Sequence, residues 1–226
     1  MQLDDVTISR AILDTFMEEF RQATDVEVAV GGAGPSGMIA AYYLAKEGIK
    51  TVIFERGLRV GGGMPGGGMM FNTIVVQDEA KSILDEFGIR TREYEKGYYT
   101  ADSVEASAAI CLKTIQAGAK IFNLMSIEDV MIRENDRVTG LVLNWSAVEL
   151  AKLHVDPLSI RAKVVIDATG HAAEICHIIV DKLGGRLRTK GGGIMGERSM
   201  WAEVAEGKIL ENTKEISRPD SSRYGG

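Results

Sequence analysis

Residues 26–37 read Val26-Glu27-Val28-Ala29-Val30-Gly31-Gly32-Ala33-Gly34-Pro35-Ser36-Gly37. A β-branched run leads directly into a glycine turn. Met38 to Glu47 is alanine-rich and stops at Gly48, which predicts a helix. Lys50 to Phe54 predicts a second strand, with Glu55-Arg56 at its tip. Strand, glycine turn, helix and strand within about 30 residues make a βαβ unit. Each glycine of Gly32-x-Gly34-x-x-Gly37 has a physical reason. The first permits the tight turn, the second lets backbone N–H groups approach a pyrophosphate, and the third lets helix and strand pack closely. The helix N-terminus adds positive partial charge. Glu55 stands where a carboxylate accepts hydrogen bonds from the adenosine ribose hydroxyls. The pattern predicts an adenine dinucleotide site and does not choose between NAD and FAD.

Outward from this unit, Asp167-Ala168-Thr169-Gly170 ends a second apolar run, Val164 to Ala168. A small residue and a glycine there let the chain pass under a dinucleotide, as in two-dinucleotide-binding folds of the flavoprotein type. Helices are expected over Glu79–Phe87, Ser103–Ala117 and Ala172–Leu183. Ala119–Phe122, Val130–Arg133 and Val138–Asn144 read as strands, with a turn at Asn135-Asp136 between the last two. A small antiparallel β insertion is therefore expected at about 119–145. Residues 1–24 read as a helical arm capped by Ser9, with Ile12, Leu13, Phe16, Met17 and Phe20 as its apolar stripe. The expected architecture is α/β: one Rossmann-like dinucleotide-binding domain over 25–216, carrying the arm and the insertion. The stretch from Gly184 onward is assigned no element.

The 26 glycines among 226 residues exceed the usual ~7% and cluster. A second glycine loop runs through Gly61-Gly62-Gly63-Met64-Pro65-Gly66-Gly67-Gly68. Ordering such a stretch costs much backbone entropy, so close approach to a ligand explains it better than a passive linker. At 45% hydrophobic and 26% charged the composition is that of a globular protein. No apolar run reaches the roughly 18 residues of a membrane span. The acidic start lacks a secretory h-region, and Cys111 and Cys176 form no CxxC, so a reducing cytoplasm is expected. A net charge of −6 argues against nucleic acid or an anionic membrane as partner.

There are 3 histidines: His154, His171 and His177. His177 lies about 240° round the predicted helix from His171 and is read as structural. His171 and Asp156 have two readings. One is a hydrogen-bonded loop histidine and a turn aspartate before Pro157. The other is a pair of ligands from separate loops, suited to an open Fe(II)-type centre. Both cysteines sit in apolar helical contexts and are expected to be buried, inert thiols.

These residues together resemble the thiamine thiazole synthase family, in its sulfide-using, archaeal-type branch. The resemblance spans about Ile8 to Ile216. It is carried by the 32–37 motif, Glu55-Arg56, Gly61 through Phe71, Asp102-Ser103, His154-Val155-Asp156-Pro157, Ala168-Thr169-Gly170-His171 and Ser199-Met200-Trp201-Ala202-Glu203. It implies that NAD is a substrate, joined with glycine and sulfide into an ADP-linked carboxythiazole for thiamine. It implies dinucleotide contacts at Gly32, Gly34, Ser36, Gly37, Glu55, Arg56, Gly63, Val130, His154, Val155 and Asp156. It implies Fe(II) on Asp156 and His171, with His154 near the chemistry, and a homo-oligomer, an octameric ring. Members that sacrifice their own sulfur carry a cysteine at position 154, and here it is His154. Two other readings stand beside this one: an FAD-dependent oxidoreductase of the same architecture, and an inactive dinucleotide-binding copy.

The resemblance also implies a strand reading like Pro-Gly-Leu-x-x-Ala-Gly-Met after Ile216, where this chain has Ser217 to Gly226. Back-translated as TCC CGG CCT GAT TCC AGC CGG TAT GGC GGT and shifted by one base, that tail reads Pro-Gly-Leu-Ile-Pro-Ala-Gly-Met-Ala. A frameshifted, non-native tail over 217–226 is therefore expected. Sequencing the encoding DNA should return that second frame, and a gene without it overturns the expectation.

Overall fold

The computed structural model describes residues 3–183, together with Leu187 and Ile194. The expected tail at 217–226 and the Ser199–Glu203 motif lie outside them. Val28 and Val30 turn to one side of a strand and Ala29 to the other, and all three are buried. A run that is apolar on both faces forms a central parallel strand. This strand, β1 (Asp25–Gly31), is followed by α2 (Pro35–Lys46) and β2 (Thr51–Glu55), the expected βαβ unit. The arm before it is α1 (Asp5–Ala23).

The remaining elements run in order as β3 (Thr73–Val76), α3 (Asp78–Phe87), β4 (Thr91–Glu95), β5 (Tyr98–Asp102) and α4 (Ser103–Gln116). They continue with β6 (Lys120–Asn123), β7 (Met125–Arg133), β8 (Arg137–Trp145), α5 (Ser146–Leu150), β9 (Leu158–Asp167) and α6 (Glu174–Leu183). The main sheet has the order β6-β2-β1-β9-β8-β7. Its first four strands are parallel, and β8 and β7 add an antiparallel edge. A separate antiparallel sheet has the order β3-β5-β4. The fold is the expected Rossmann-like α/β architecture.

Three details differ from the sequence reading. The stretch 119–145 divides: β6 pairs parallel with β2, and only β7 and β8 form the antiparallel hairpin, joined to the main sheet through β9. The three-stranded sheet was not expected: Thr91-Arg92-Glu93-Tyr94-Glu95 is mostly exposed and polar, and the β-branched Thr73–Val76 is only four residues long. The arm begins a turn earlier than Ser9. Asp4 is the N-cap, its Oδ2 accepting from the Thr7 N–H at 3.1 Å and the Thr7 hydroxyl at 2.5 Å. Ser9 sits within the helix and donates to the Asp5 carbonyl. An aspartate at the first free turn satisfies the N–H groups that a serine further on cannot reach.

The sheet is covered on both faces. Met38 and Ala41 of α2, Leu84 of α3 and Ile110 of α4 pack on one face with Val28, Val30 and Ile53. Phe20 of α1 and Ile175 and Ile179 of α6 pack on the other with Val52, Phe54 and Phe122. On the first side, the Lys46 ammonium, then the Tyr43 and Tyr42 hydroxyls, hold the Glu86 carboxyl down at about 2, tying α3 to α2. On the second, an aromatic cluster fastens the arm. The Phe20 ring lies 5.2 Å from Phe122 edge-on and 5.6 Å from Phe16, and Phe16 lies 6.0 Å from Trp145. Such pairs add about 0.5–1.5 kcal/mol each to the burial of the rings.

Most of α1 is otherwise exposed, so Phe20 carries much of its docking. Phe20→Ala should cost about 3 kcal/mol in urea unfolding. It should also raise amide hydrogen exchange along α1 more than along β1. Equal exchange in the two elements would mean that the arm is held elsewhere.

Candidate functional site

The strand order 6-2-1-9 reverses direction in sequence at β1, so β1 and β9 splay their connections to opposite sides. Open α/β sheets bind ligands in the crevice outside the carboxyl ends of strands at such a point. Here the three strand ends are stitched together. The Gly32 N–H donates to the Phe54 carbonyl at 2.8 Å, and the Ala168 N–H to the Gly31 carbonyl at 2.9 Å. Gly32 has φ +96°, and a Cβ on it would stand 2.3 Å from the Ala168 carbonyl oxygen. A Cβ on Gly37 would stand 2.1 Å from the Gly32 oxygen. These two glycines are required by the protein's own backbone.

Gly34 is different. A Cβ there would meet nothing within 4 Å. It is the N-cap of α2, makes no side-chain cap bond, and is followed by Pro35 and Ser36 at the open helix end. The second glycine loop closes over this turn. The Gly61 N–H donates to the Ala33 carbonyl at 2.8 Å, and a Cβ on Gly62 would stand 3.1 Å from the Gly34 Cα. Gly63, like Gly34, faces open space. The Glu55 carboxylate is half-buried and organises both loops. Its Oε2 accepts from the Ala33 N–H at 2.8 Å and its Oε1 from the Gly57 N–H at 2.7 Å. Each oxygen keeps a further lone pair for a ligand hydroxyl.

Between these groups lies a cavity of about 790 Å³. Of the residues singled out in the sequence, Gly32, Gly34, Ser36, Glu55, Arg56, Gly63 and His171 line it. Gly37 stands behind it as a packing residue. Val130 is buried in β7, where its N–H donates to the Asp129 carboxylate at 2.7 Å. His154, Val155 and Asp156 lie in the exposed segment between α5 and β9, where Asn144 donates to the Val155 carbonyl at 3.2 Å. None of these last four is among the described residues lining the cavity. His177 faces a smaller depression of about 440 Å³ beside the cavity.

The structure also brings in residues that sequence reasoning passed over. Ile74, Ile127 and Glu174 line the cavity. Glu174 could have been suspected as an acidic residue opening the helix after the Thr169-Gly170 turn. Ile74 could not: Thr73-Ile74-Val75-Val76 is a β-branched run that signals a strand but not what the strand faces. The Arg56 guanidinium donates to Glu174 Oε1 at 2.5 Å across the cavity wall.

The chemistry of an imidazole and a carboxylate suits Fe(II). Of the two, His171 lines the cavity, and Asp156 is not among the described residues that do. Among the described residues no group of three or more His, Cys, Asp or Glu is gathered to hold a metal ion. The thiols are half-buried rather than buried. Burial pushes the Cys111 thiol up. Burial, then the Asp167 carboxylate, pushes Cys176 up to about 12. Neither cysteine is among the described residues lining the cavity. No helix among the described residues is long and apolar enough to cross a membrane.

The profile of the Thi4 family matches residues 9–219. The chain belongs to the Thi4 family. It is 60% identical to the thiamine thiazole synthase of Methanothermobacter thermautotrophicus over 216 residues, 96% of this chain and 83% of that protein. It is 47% identical to the crystal structure of Thermovibrio ammonificans THI4, with a TM-score of 0.91 over 97% of this chain and 84% of that one. A distant likeness, 14% identical with a TM-score of 0.51, is to aklavinone-11 hydroxylase in a ternary complex with FAD and aklavinone; it covers 73% of this chain and 36% of that one. At that identity the likeness concerns the fold alone, and it is the same Rossmann-like architecture.

In this Thi4-family chain the two kinds of glycine should separate experimentally. Gly37→Ala should cost about 2–3 kcal/mol of stability, because its Cβ collides with backbone. Gly34→Ala should leave urea unfolding within ~0.5 kcal/mol of the parent and weaken binding of a dinucleotide at least fivefold in calorimetry. Unchanged binding in Gly34→Ala would remove the ligand from that turn.

Proposed function

We propose that this Thi4-family chain converts NAD, glycine and sulfide into an ADP-linked carboxythiazole for thiamine, with Fe(II) and without consuming a cysteine of its own. The observation that carries the reading is the glycine cradle. Gly34 and Gly63 present open backbone to one cavity with Glu55 on its wall. That is the arrangement a dinucleotide needs. The 60% identity to a thiamine thiazole synthase supports the step from dinucleotide binding to thiazole formation.

In this reading the open N-terminus of α2, with the exposed Ser36, binds the pyrophosphate. Glu55 accepts from the adenosine ribose, and Arg56 lies on the wall beside it. His171 supplies an imidazole to the cavity. Fe(II), when bound, supplies Lewis acidity and an open position that suits soft sulfide. The free-sulfide branch is supported by the thiols. Both are held protonated by burial, and position 154 carries histidine rather than cysteine. The chain assembles as a homo-oligomer, an octamer as the family resemblance implies; the exposure of the 154–156 segment, outside the residues that line the cavity, supports its use against a neighbouring copy. The chain works in the cytoplasm, where its two thiols stay reduced.

The purified chain, incubated with NAD, glycine, sulfide and Fe(II), should release an adenylated carboxythiazole detected by mass spectrometry. His171→Ala or Asp156→Ala should abolish iron-dependent turnover while NAD affinity stays within threefold. Equal loss of both would sink the ligand assignment. A flavin spectrum without thiazole would instead favour an FAD-dependent oxidoreductase. Bound NAD or ADP-ribose without thiazole would favour an inactive copy.

A further inference from the structure

The carboxylate of Asp167, at the last residue of β9, is half-buried and accepts in two directions, from Thr169 and from Cys176. Its Oδ1 accepts from the Thr169 N–H at 3.0 Å and the Thr169 hydroxyl at 2.6 Å. Its Oδ2 accepts from the Cys176 N–H in the first turn of α6 at 2.9 Å. The Thr169 oxygen in turn accepts from the Glu174 N–H at 2.8 Å. The Glu174 carboxylate then receives the Arg56 guanidinium. Between the two ends of this relay lies the turn Gly170–Ala172, which carries His171.

That turn is closed by one bond of its own, the Ala173 N–H to the Gly170 carbonyl at 3.0 Å, and is strained at both ends. Gly170 has φ +80°, and Ala173 holds the left-handed conformation at φ +42° without being glycine. Such a residue keeps its conformation only where surrounding bonds fix it. The Arg56–Glu174 pair is also partly exposed, with side-chain exposures of 58% and 30%. An exposed ion pair has little holding power of its own. Its geometry depends on where the Glu174 backbone stands, and Thr169 sets that. Arg56, Ile127, Ala172 and Glu174 line both the cavity and the smaller depression, so the pair forms the partition between them.

We propose that Asp167 and Thr169 are positioning residues, locking the turn after β9 so that His171 lines the cavity and Glu174 holds Arg56 on its wall. The proposal rests on the dinucleotide reading for its binding consequence, and on the bonds above for its geometry. It explains why an aspartate stands at position 167. An asparagine there offers one oxygen, so its amide group must face either the Thr169 donors or the Cys176 N–H.

The test uses the full chain and two readouts. The imidazole signals of the three histidines are assigned by nuclear magnetic resonance with His154→Gln and His177→Gln. Asp167→Asn and Thr169→Val should shift the His171 signal and weaken NAD at least tenfold in calorimetry. Thr169→Ser, which keeps the hydroxyl, should restore both to within twofold of the parent. Arg56→Ala and Glu174→Ala should each weaken NAD, and the double variant should be no weaker than Arg56→Ala alone. If Asp167→Asn fails to fold, Thr169→Val against Thr169→Ser decides. A folded variant with an unchanged His171 signal overturns the proposal, as does a serine variant that behaves like valine. If the parent chain binds no NAD, the dinucleotide reading fails, and the His171 signal still decides the relay.

Discussion

At the carboxyl end of the sheet, three pieces of backbone approach one another more closely than side chains allow. Gly32 lies against the Ala168 carbonyl, and Gly37 lies against the Gly32 carbonyl. The contact brings the end of β1, the start of α2 and the turn after β9 to one place. Almost every group of the candidate site takes its position from that junction. The helix N-terminus faces the crevice because α2 can pack down onto the strand turn. The His171 turn faces it because β9 ends in register with β1, Gly31 beside Asp167. A methyl group at either glycine would push the elements apart and open the crevice.

The junction would be loose without the layers behind it. Phe54 leaves the second strand buried among Phe122 and the arm's aromatic residues, and Glu55, its neighbour, emerges at the tip with its carboxylate between two loops. Burial fixes the first of these two residues, and so the second is delivered to a defined place. Arg56, one residue further, is exposed and takes its direction from Glu174 on another element. Along three consecutive residues, control passes from core packing to backbone hydrogen bonds to a long-range ion pair.

Sequence reading succeeded where physics is local. The run Val26–Val30, the glycine spacing and the alanine-rich stretch fix a strand, a turn and a helix within reach of one another, so the βαβ unit was legible. So was Ala168-Thr169-Gly170 as a chain passage. The strand around Tyr94 was missed because it is mostly exposed, and the one that starts at Tyr98 because Ala101 is its one buried residue, so neither leaves an apolar alternation to read. The N-cap at Asp4 was misplaced to Ser9 because both residue types cap helices. Only the unpaired N–H groups of the actual first turn choose between them. The parallel pairing of β6 with β2 could not be read either, since a four-residue strand carries no sign of which neighbour it will meet.

The sequence by itself determined the fold class and the glycine turn after the first strand, because those follow from conformational preference and side-chain type at fixed spacing. The tertiary structure decided which glycines serve the backbone and which leave room for a ligand. It decided that Glu174 answers Arg56 from 118 positions away. It also put His171 on the cavity wall and left Asp156 exposed, outside the described residues that line it. Those outcomes depend on distances between elements remote in the chain, and such distances are set only when the two faces of the sheet have been packed.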